Sequence, residues 1–334
     1  MQNLNEDLKS GQFKNIYLLY GEEAYLKKMY RDRLVKAILP EGDTMNYAHY
    51  EGKNINVKEV IDLAETMPFF AERRLIVMED TGFFKTSSDE LAAYLHEVPA
   101  TTFFLFVENE VDKRNKAYKA AVKHGRAAEL NFQDETTLKK WILGAVKREK
   151  KQITAQALNH FLNKVGTDME NIQRESEKLF SYTLEKAEIT TEDIDAVCVT
   201  QITNRIFDMV HAVTNQKLTQ ALDLYYDLLA LKEPPMRILF LMTREFRLLL
   251  LVKDLQKQGF DKKEIASRAK IHPFAAGKYM EQSRRFEAER LQEICGESAA
   301  LEEAVKTGKI SDTLSVEMFI VSVGKQIAFS KIEE

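Results

Sequence analysis

The stretch YLLYGEEAYLKK, Tyr17–Lys28, decides how the first part of the chain is read. An apolar run ends in a glycine and a lysine follows six residues later, the outline of a strand entering the phosphate-binding loop G-x-x-x-x-G-K-[ST]. Such a loop works because backbone amides and a helix N-terminus surround the phosphates, while lysine neutralises their charge and a hydroxyl holds magnesium. Gly21 and Lys27 occupy the first glycine and lysine positions, but Leu26 replaces the second glycine and Lys28 the hydroxyl. A leucine side chain blocks the approach of backbone to phosphate, and an ammonium cannot ligate magnesium. The acidic strand end that should hold metal and water is also poor, since FFLFVENE offers only Glu108 and Asn109. The expectation is a phosphate-loop-like fold with a degenerate loop that takes no nucleotide, Gly21 serving a tight turn.

Working outward, 15–21, 74–80 and 101–109 read as core strands, because continuous apolar runs fit strands buried on both faces. A more polar strand is expected at 44–52 and a last one at 127–132, with helices at 25–39, 56–67 and 114–125 between them. SSDELAAYLHEV opens as a helix with a capping box of Ser87 and Glu90. Strand–helix alternation predicts a parallel sheet between helices. After Phe132 the pattern becomes helix after helix, one of them opened by a capping box of Thr167 and Glu170. Pro234 and Pro235 start a long helix where missing amide protons cost least, and Gly259 stands past its end. The expected division is 1–133 for the α/β part, 134–203 for a small helical domain and 204–334 for a larger one.

The 334 residues are 45% hydrophobic and 30% charged, with net charge −4, so nucleic-acid contact needs local basic patches. Cys198 and Cys295 match no metal spacing, and a reducing, cytoplasmic compartment is the simplest expectation. The polar N-terminus has no signal-peptide core, and RILFLMTREFRLLLLV is interrupted by charges, so no membrane span or membrane partner is expected. The six histidines show no ligand spacing and no nucleophile motif occurs. No catalytic residue, cofactor or bound metal is expected.

Two stretches invite partners. In ETMPFFAERRLIVMED, Phe69 and Phe70 stand in a turn after a proline and before a strand, where adjacent side chains rarely both face the core. An exposed aromatic pair is a common anchor for a protein pocket, and from the residues alone interface and core both stay open. Phe83 and Phe84 read as local packing. The second stretch carries Lys113, Arg114, Lys116, Lys119, Lys123 and Arg126, of which 116, 119 and 123 share a helical face. Such a face could follow a phosphate backbone, as could Lys147, Arg148, Lys150 and Lys151, although solvated surface is the commoner fate of lysine runs.

In order and spacing, IYLLYGEEAYL, MPFFAERRLIVMED, ALNHFLNKVGTDMENIQRESEKL, ITTEDI and PPMRILFLMTREFRLLL together resemble the delta-subunit family of bacterial DNA polymerase III clamp loaders, most of all its low-GC Gram-positive variant. The resemblance covers essentially the whole chain. It implies an AAA+-like α/β domain with a P-loop NTPase-like sheet, followed by an all-α lid and an all-α collar domain. It implies a non-catalytic polymerase holoenzyme subunit that opens the ring-shaped sliding clamp (beta) for loading onto primed DNA without hydrolysing ATP. Its implied partners are that clamp, the tau/gamma ATPase subunits, delta-prime and primed DNA, in a five-subunit complex of the cytoplasmic replisome. The family's clamp-binding wedge maps onto Met67, Phe69 and Phe70, followed by Arg73. The wedge often pairs leucine with phenylalanine, whereas here both positions are Phe behind Pro68. An ATP-binding AAA+ loader subunit would need an intact loop and a Ser-Arg-Cys arginine finger, and delta-prime that finger with zinc-binding cysteines. A stand-alone DNA-binding protein would rest on the basic helices alone.

Overall fold

Continuous apolar runs form the strands at the centre of the first of two units, Met1–Phe132 and Gln133–Glu334, in a computed structural model that describes residues 1–86, 88–200 and 202–329. In chain order the first unit comprises α1 (Gln2–Ser10), β1 (Ile16–Tyr20), α2 (Ala24–Ile38), β2 (Tyr47–Glu51), α3 (Val57–Glu65), β3 (Arg74–Glu79), α4 (Asp89–Tyr94), β4 (Thr102–Glu108), α5 (Lys116–His124) and β5 (Arg126–Glu129). The strands pair in parallel in the order β2-β3-β4-β1-β5. Every residue of β1 and β4 is buried, as their unbroken apolar sequences anticipate. Phe104, Phe106 and Phe84 pack in one cluster with Ile16, Leu18 and Ile76. This is the α/β class expected, followed by helices.

Helix α1 was not legible in its polar sequence. It docks through Leu4 and through Asp7, whose carboxylate accepts from Arg126 Nε at 2.8 Å and Nη2 at 2.7 Å and from the Tyr17 hydroxyl at 2.9 Å. Strand β5 is shorter than the expected 127–132 because Leu130 leaves it to cover the turn after β1. At the start of α4, Ser87 of the expected capping box lies outside the described residues.

The second unit runs through α6 (Glu135–Arg148), β6 (Gln152–Ile153), α7 (Ala155–Val165), α8 (Met169–Tyr182), β7 (Glu188–Ile189), α9 (Thr191–Val197), α10 (Ile202–Thr214), α11 (Leu218–Ala230), α12 (Pro235–Lys257), α13 (Lys262–Arg268), α14 (Pro273–Ser283), α15 (Ala288–Lys306) and α16 (Asp312–Phe329). Two corrections arise here. β6 and β7 form a two-residue parallel ladder in a region read as purely helical. Helix α8 is capped not by Thr167 but by Asp168, whose carboxylate accepts from Asn171 N at 2.7 Å and is the stronger acceptor. Thr190 and Asp193 form a reciprocal capping box on α9. Pro234 caps α12, and buried Met242, Phe246 and Leu249 on its inner face meet Phe319 and Ile320 of α16.

Candidate protein-interaction site

The turn from α3 to β3 turns apolar side chains toward water. Helix α3 stops at Thr66, whose N–H and hydroxyl donate back to Leu63 O at 3.2 and 2.6 Å, and the other carbonyls at its end need donors from elsewhere. Arg74, buried at the first position of β3, adds donors of its own: its Nη1 donates to Leu63 O at 2.7 Å and to the carbonyl and hydroxyl of Thr66, and its Nη2 to Met67 O at 3.2 Å. A cation at a helix C-terminus also meets the negative end of the helix dipole.

From this anchor the chain swings outward. Met67 is 79% exposed, Phe69 54% and Phe70 95%. The two rings meet edge to face at 4.7 Å, a favourable arrangement for quadrupoles. Phe70 has φ of 48°, a left-handed conformation that costs a bulky residue about 1–2 kcal/mol. A strained backbone presenting an almost fully exposed aromatic is not what packing alone produces. Arg73 does not join this tip: its guanidinium lies 5.6 Å from the ring centres of both Phe13 and Phe103. The shape of the turn thus rests on its neighbour Arg74, which the sequence reading passed over.

The turn after β1 is built the opposite way. Gly21 has φ of 126°, and a Cβ there would lie 2.5 Å from Leu130 O and 2.6 Å from Asn131 Oδ1. Glu23 N donates to Leu130 O at 2.9 Å, and the Glu23 carboxylate caps α2 by accepting from Tyr25 N. An acid of the chain therefore stands at the helix N-terminus where a phosphate loop would seat its anion. Leu26 is buried, Lys28 is exposed, and Lys27 is folded inward, donating to Glu108 O at 3.2 Å and to the Asn109 side chain. Burial lowers the Lys27 pKa, against the pull of Asp80, Glu108, Glu79 and Glu23. The Glu108 carboxylate accepts from Thr81 N at 3.1 Å and Gly82 N at 3.2 Å, and from the Thr81 hydroxyl. Burial raises its pKa, opposed by those same bonds. Lysine and acid are thus both engaged in holding the loop and sheet edge together.

The basic helix is partly neutralised by its surroundings. Lys113 pairs with Glu129 at 2.9 Å, Arg114 with Asp112 at 2.9 Å and Lys116 with Asp89 at 3.0 Å, while Lys119 and Lys123 are exposed. Arg126 is taken by Asp7. In the later cluster, Lys151 Nζ donates to the carbonyls of Thr183 and Lys186, a structural use, whereas Lys147, Arg148 and Lys150 are exposed. The fold also joins two histidines far apart in sequence: His96 Nδ1 lies 2.8 Å from His124 Nε2. Among the described residues no group of three or more His, Cys, Asp or Glu could hold a metal ion, and no helix is long and apolar enough to cross a membrane.

Comparison with known proteins gives the context for these sites. The family model described as DNA polymerase III, delta subunit, matches residues 17–131, and that described as DNA polymerase III delta subunit, C-terminal domain, matches 203–323. The chain is 32% identical over 336 residues to DNA polymerase III subunit delta of Bacillus subtilis (strain 168), covering 96% of each. It is 22% identical over 261 residues to the probable DNA polymerase III subunit delta of Aquifex aeolicus (strain VF5), covering 74% of this chain and 73% of that one. Among solved structures, the Bacillus subtilis DNA clamp loader delta protein (YqeN) superposes with a TM-score of 0.82 at 28% identity, over 97% of this chain and 99% of that one.

Proposed function

Because this chain belongs to the DNA polymerase III delta-subunit family and so has a clamp-loader role in DNA replication, we propose that the Met67–Phe70 tip is the wedge by which it binds and opens the sliding clamp. The observation that carries this reading is the exposed, edge-to-face pair of Phe69 and Phe70 on a backbone strained at Phe70. Each ring entering an apolar pocket contributes roughly 1.5–3 kcal/mol. Opening follows from differential binding: contacts made better to a sprung ring than to a closed one offset part of the cost of parting its interface. Arg73, whose guanidinium faces Phe13 and Phe103, stands outside the contact made by the tip.

The subunit itself neither binds nor hydrolyses ATP. The filled turn after β1 supports this, since Leu130, Asn131 and the Glu23 carboxylate stand where phosphates would lie. ATP bound by the tau/gamma subunits governs when the tip is free. Residues 1–133, 134–203 and 204–334 correspond to AAA+-like, lid and collar domains. The collar joins tau/gamma and delta-prime through exposed Phe240 and Leu251 on α12 and Leu314 and Met318 on α16. Primed DNA within the complex is met by Lys119 and Lys123, the members of the basic face that have no acidic partner at ion-pair distance among the described residues, and the assembly works in the cytoplasm at the replisome.

Surface plasmon resonance of the purified chain on its cognate clamp, without nucleotide, tests the reading beside a Phe69→Ala/Phe70→Ala variant. Binding by the wild type that is lost in a folded double variant is expected. Equal binding by both, or none by the wild type, overturns it.

A further inference from the structure

The wedge tip is held by a side chain on a different element. Asn46, just before β2, is 2% exposed although it lies in a polar stretch. Its Oδ1 accepts from Phe69 N at 2.6 Å, and its Nδ2 donates to Phe69 O at 3.0 Å. One amide side chain thus pairs with both polar groups of a single turn residue, as a neighbouring strand would. The amide plane is itself fixed. Nδ2 also donates to the Asp43 carboxylate, at 2.9 Å to Oδ2, and the Asn46 N–H donates to Asp43 Oδ1 at 3.0 Å. The Asn46 carbonyl accepts from Leu75 N at 2.9 Å, tying the residue to the edge of β3. The Asn46 bonds hold Pro68's successor from one side, and Arg74 holds Met67 from the other.

We infer that Asn46 is a positioning residue, held by Asp43, that keeps the 67–70 tip in its binding-ready shape without itself meeting the partner; this rests on the clamp-binding reading above. The physical reason is the cost of ordering. A turn with two exposed aromatics and a left-handed Phe70 has many relaxed alternatives, and selecting one shape at the moment of binding subtracts from affinity. Fixing the Phe69 backbone beforehand sets the direction of its ring and, through the edge-to-face contact, that of Phe70. The pairing needs a donor and an acceptor on one short planar group. Aspartate keeps the acceptor, loses the donor and adds a charge beside Asp43.

The test uses the full-length chain with Asn46→Ala, Asn46→Asp and the milder Asp43→Ala, beside the Phe69→Ala/Phe70→Ala variant. Clamp binding is followed by surface plasmon resonance, and amide hydrogen exchange of 66–73 is compared with that of β2 and β3. The expected result is at least about tenfold weaker binding for both Asn46 variants through faster dissociation, a smaller loss in the same direction for Asp43→Ala, and faster exchange at Phe69 with the strands unchanged. Wild-type affinity in the Asn46 variants, with the double phenylalanine variant inactive, overturns the positioning role and leaves the wedge standing. Loss of protection throughout β2 and β3 also overturns it, because Asn46 would then be holding the sheet. If the wild type fails to bind the clamp, the wedge reading falls and exchange alone decides: unchanged protection at Phe69 overturns the inference, and selective loss sustains it.

Discussion

Two turns of the first unit follow opposite rules. After β1, the chain turns its own side chains inward: Leu26 and Lys27 are buried, and Leu130 and Asn131 close over Gly21. Before β3, the polar side chains are buried and the apolar ones exposed: Asn46 and Arg74 lie inside, and Met67, Phe69 and Phe70 outside. Burial of Leu26 follows the hydrophobic effect, whereas a contiguous exposed apolar tip such as the second is informative and marks an interaction surface more often than a packing site. The contrast fits a first turn finished within this chain and, on the proposed reading, a second completed by a partner.

The largest effect is expected at the exposed turn. Replacing both phenylalanines by alanine should weaken clamp binding at least about 100-fold while moving the melting temperature little, since two exposed rings contribute roughly 1.5–3 kcal/mol each only once a partner covers them. A large loss of thermal stability instead would break the comparison, because the rings would then be core. At the filled turn the signs reverse. Gly21→Ala puts a methyl 2.5 Å from Leu130 O at a positive φ, and urea unfolding should show a loss of about 2–4 kcal/mol. Lys27→Met leaves Glu108 O and Asn109 without their donor and should cost about 1–3 kcal/mol. Calorimetric titration of either the wild type or that variant with ATP should give no binding heat, and a measurable heat would undo the contrast.

A smaller effect sharpens the same point in the second unit. Burial pushes the His272 imidazole down to about 4, against the pull of Asp134. Its folded pKa is below its unfolded one, so the unfolded chain binds more protons between pH 6.5 and 4, and stability falls as pH falls through that window. After reduction for partial exposure the effect is about 1–2 kcal/mol, and His272→Gln should flatten the acid limb of a melting-temperature profile by that amount. Smallest is the surface term: Lys119→Ala/Lys123→Ala should lower the salt slope of DNA binding by the assembled complex by no more than about 2. A steeper change would mean that paired Lys113 and Lys116 let go of their acids on DNA.

The sheet was legible because β1, β3 and β4 are continuous apolar runs, a signal carried by each segment alone. Helix α1 was not, because what docks it includes an ion pair between Asp7 and Arg126, partners 119 positions apart. The same divide separates the tip from its support. A proline followed by two phenylalanines announces itself locally, whereas Asn46 becomes meaningful only when β2 is laid beside β3. The pairing of His96 with His124 is likewise visible only after α4 and α5 pack together. Arg74 could have been suspected, since an arginine opening an apolar strand must find acceptors for its donors.

The position of β1 has a consequence for how the chain is made. It lies between β4 and β5, so its partners, Phe104–Glu108 and Arg126–Glu129, are synthesised long after it. At about 5–20 residues per second, this five-residue apolar segment waits several seconds or more for the strands that will flank it. Parallel pairing between such distant segments is slow to form and leaves apolar backbone open meanwhile. On the ribosome, a strand that is buried throughout in the mature sheet therefore spends seconds uncovered.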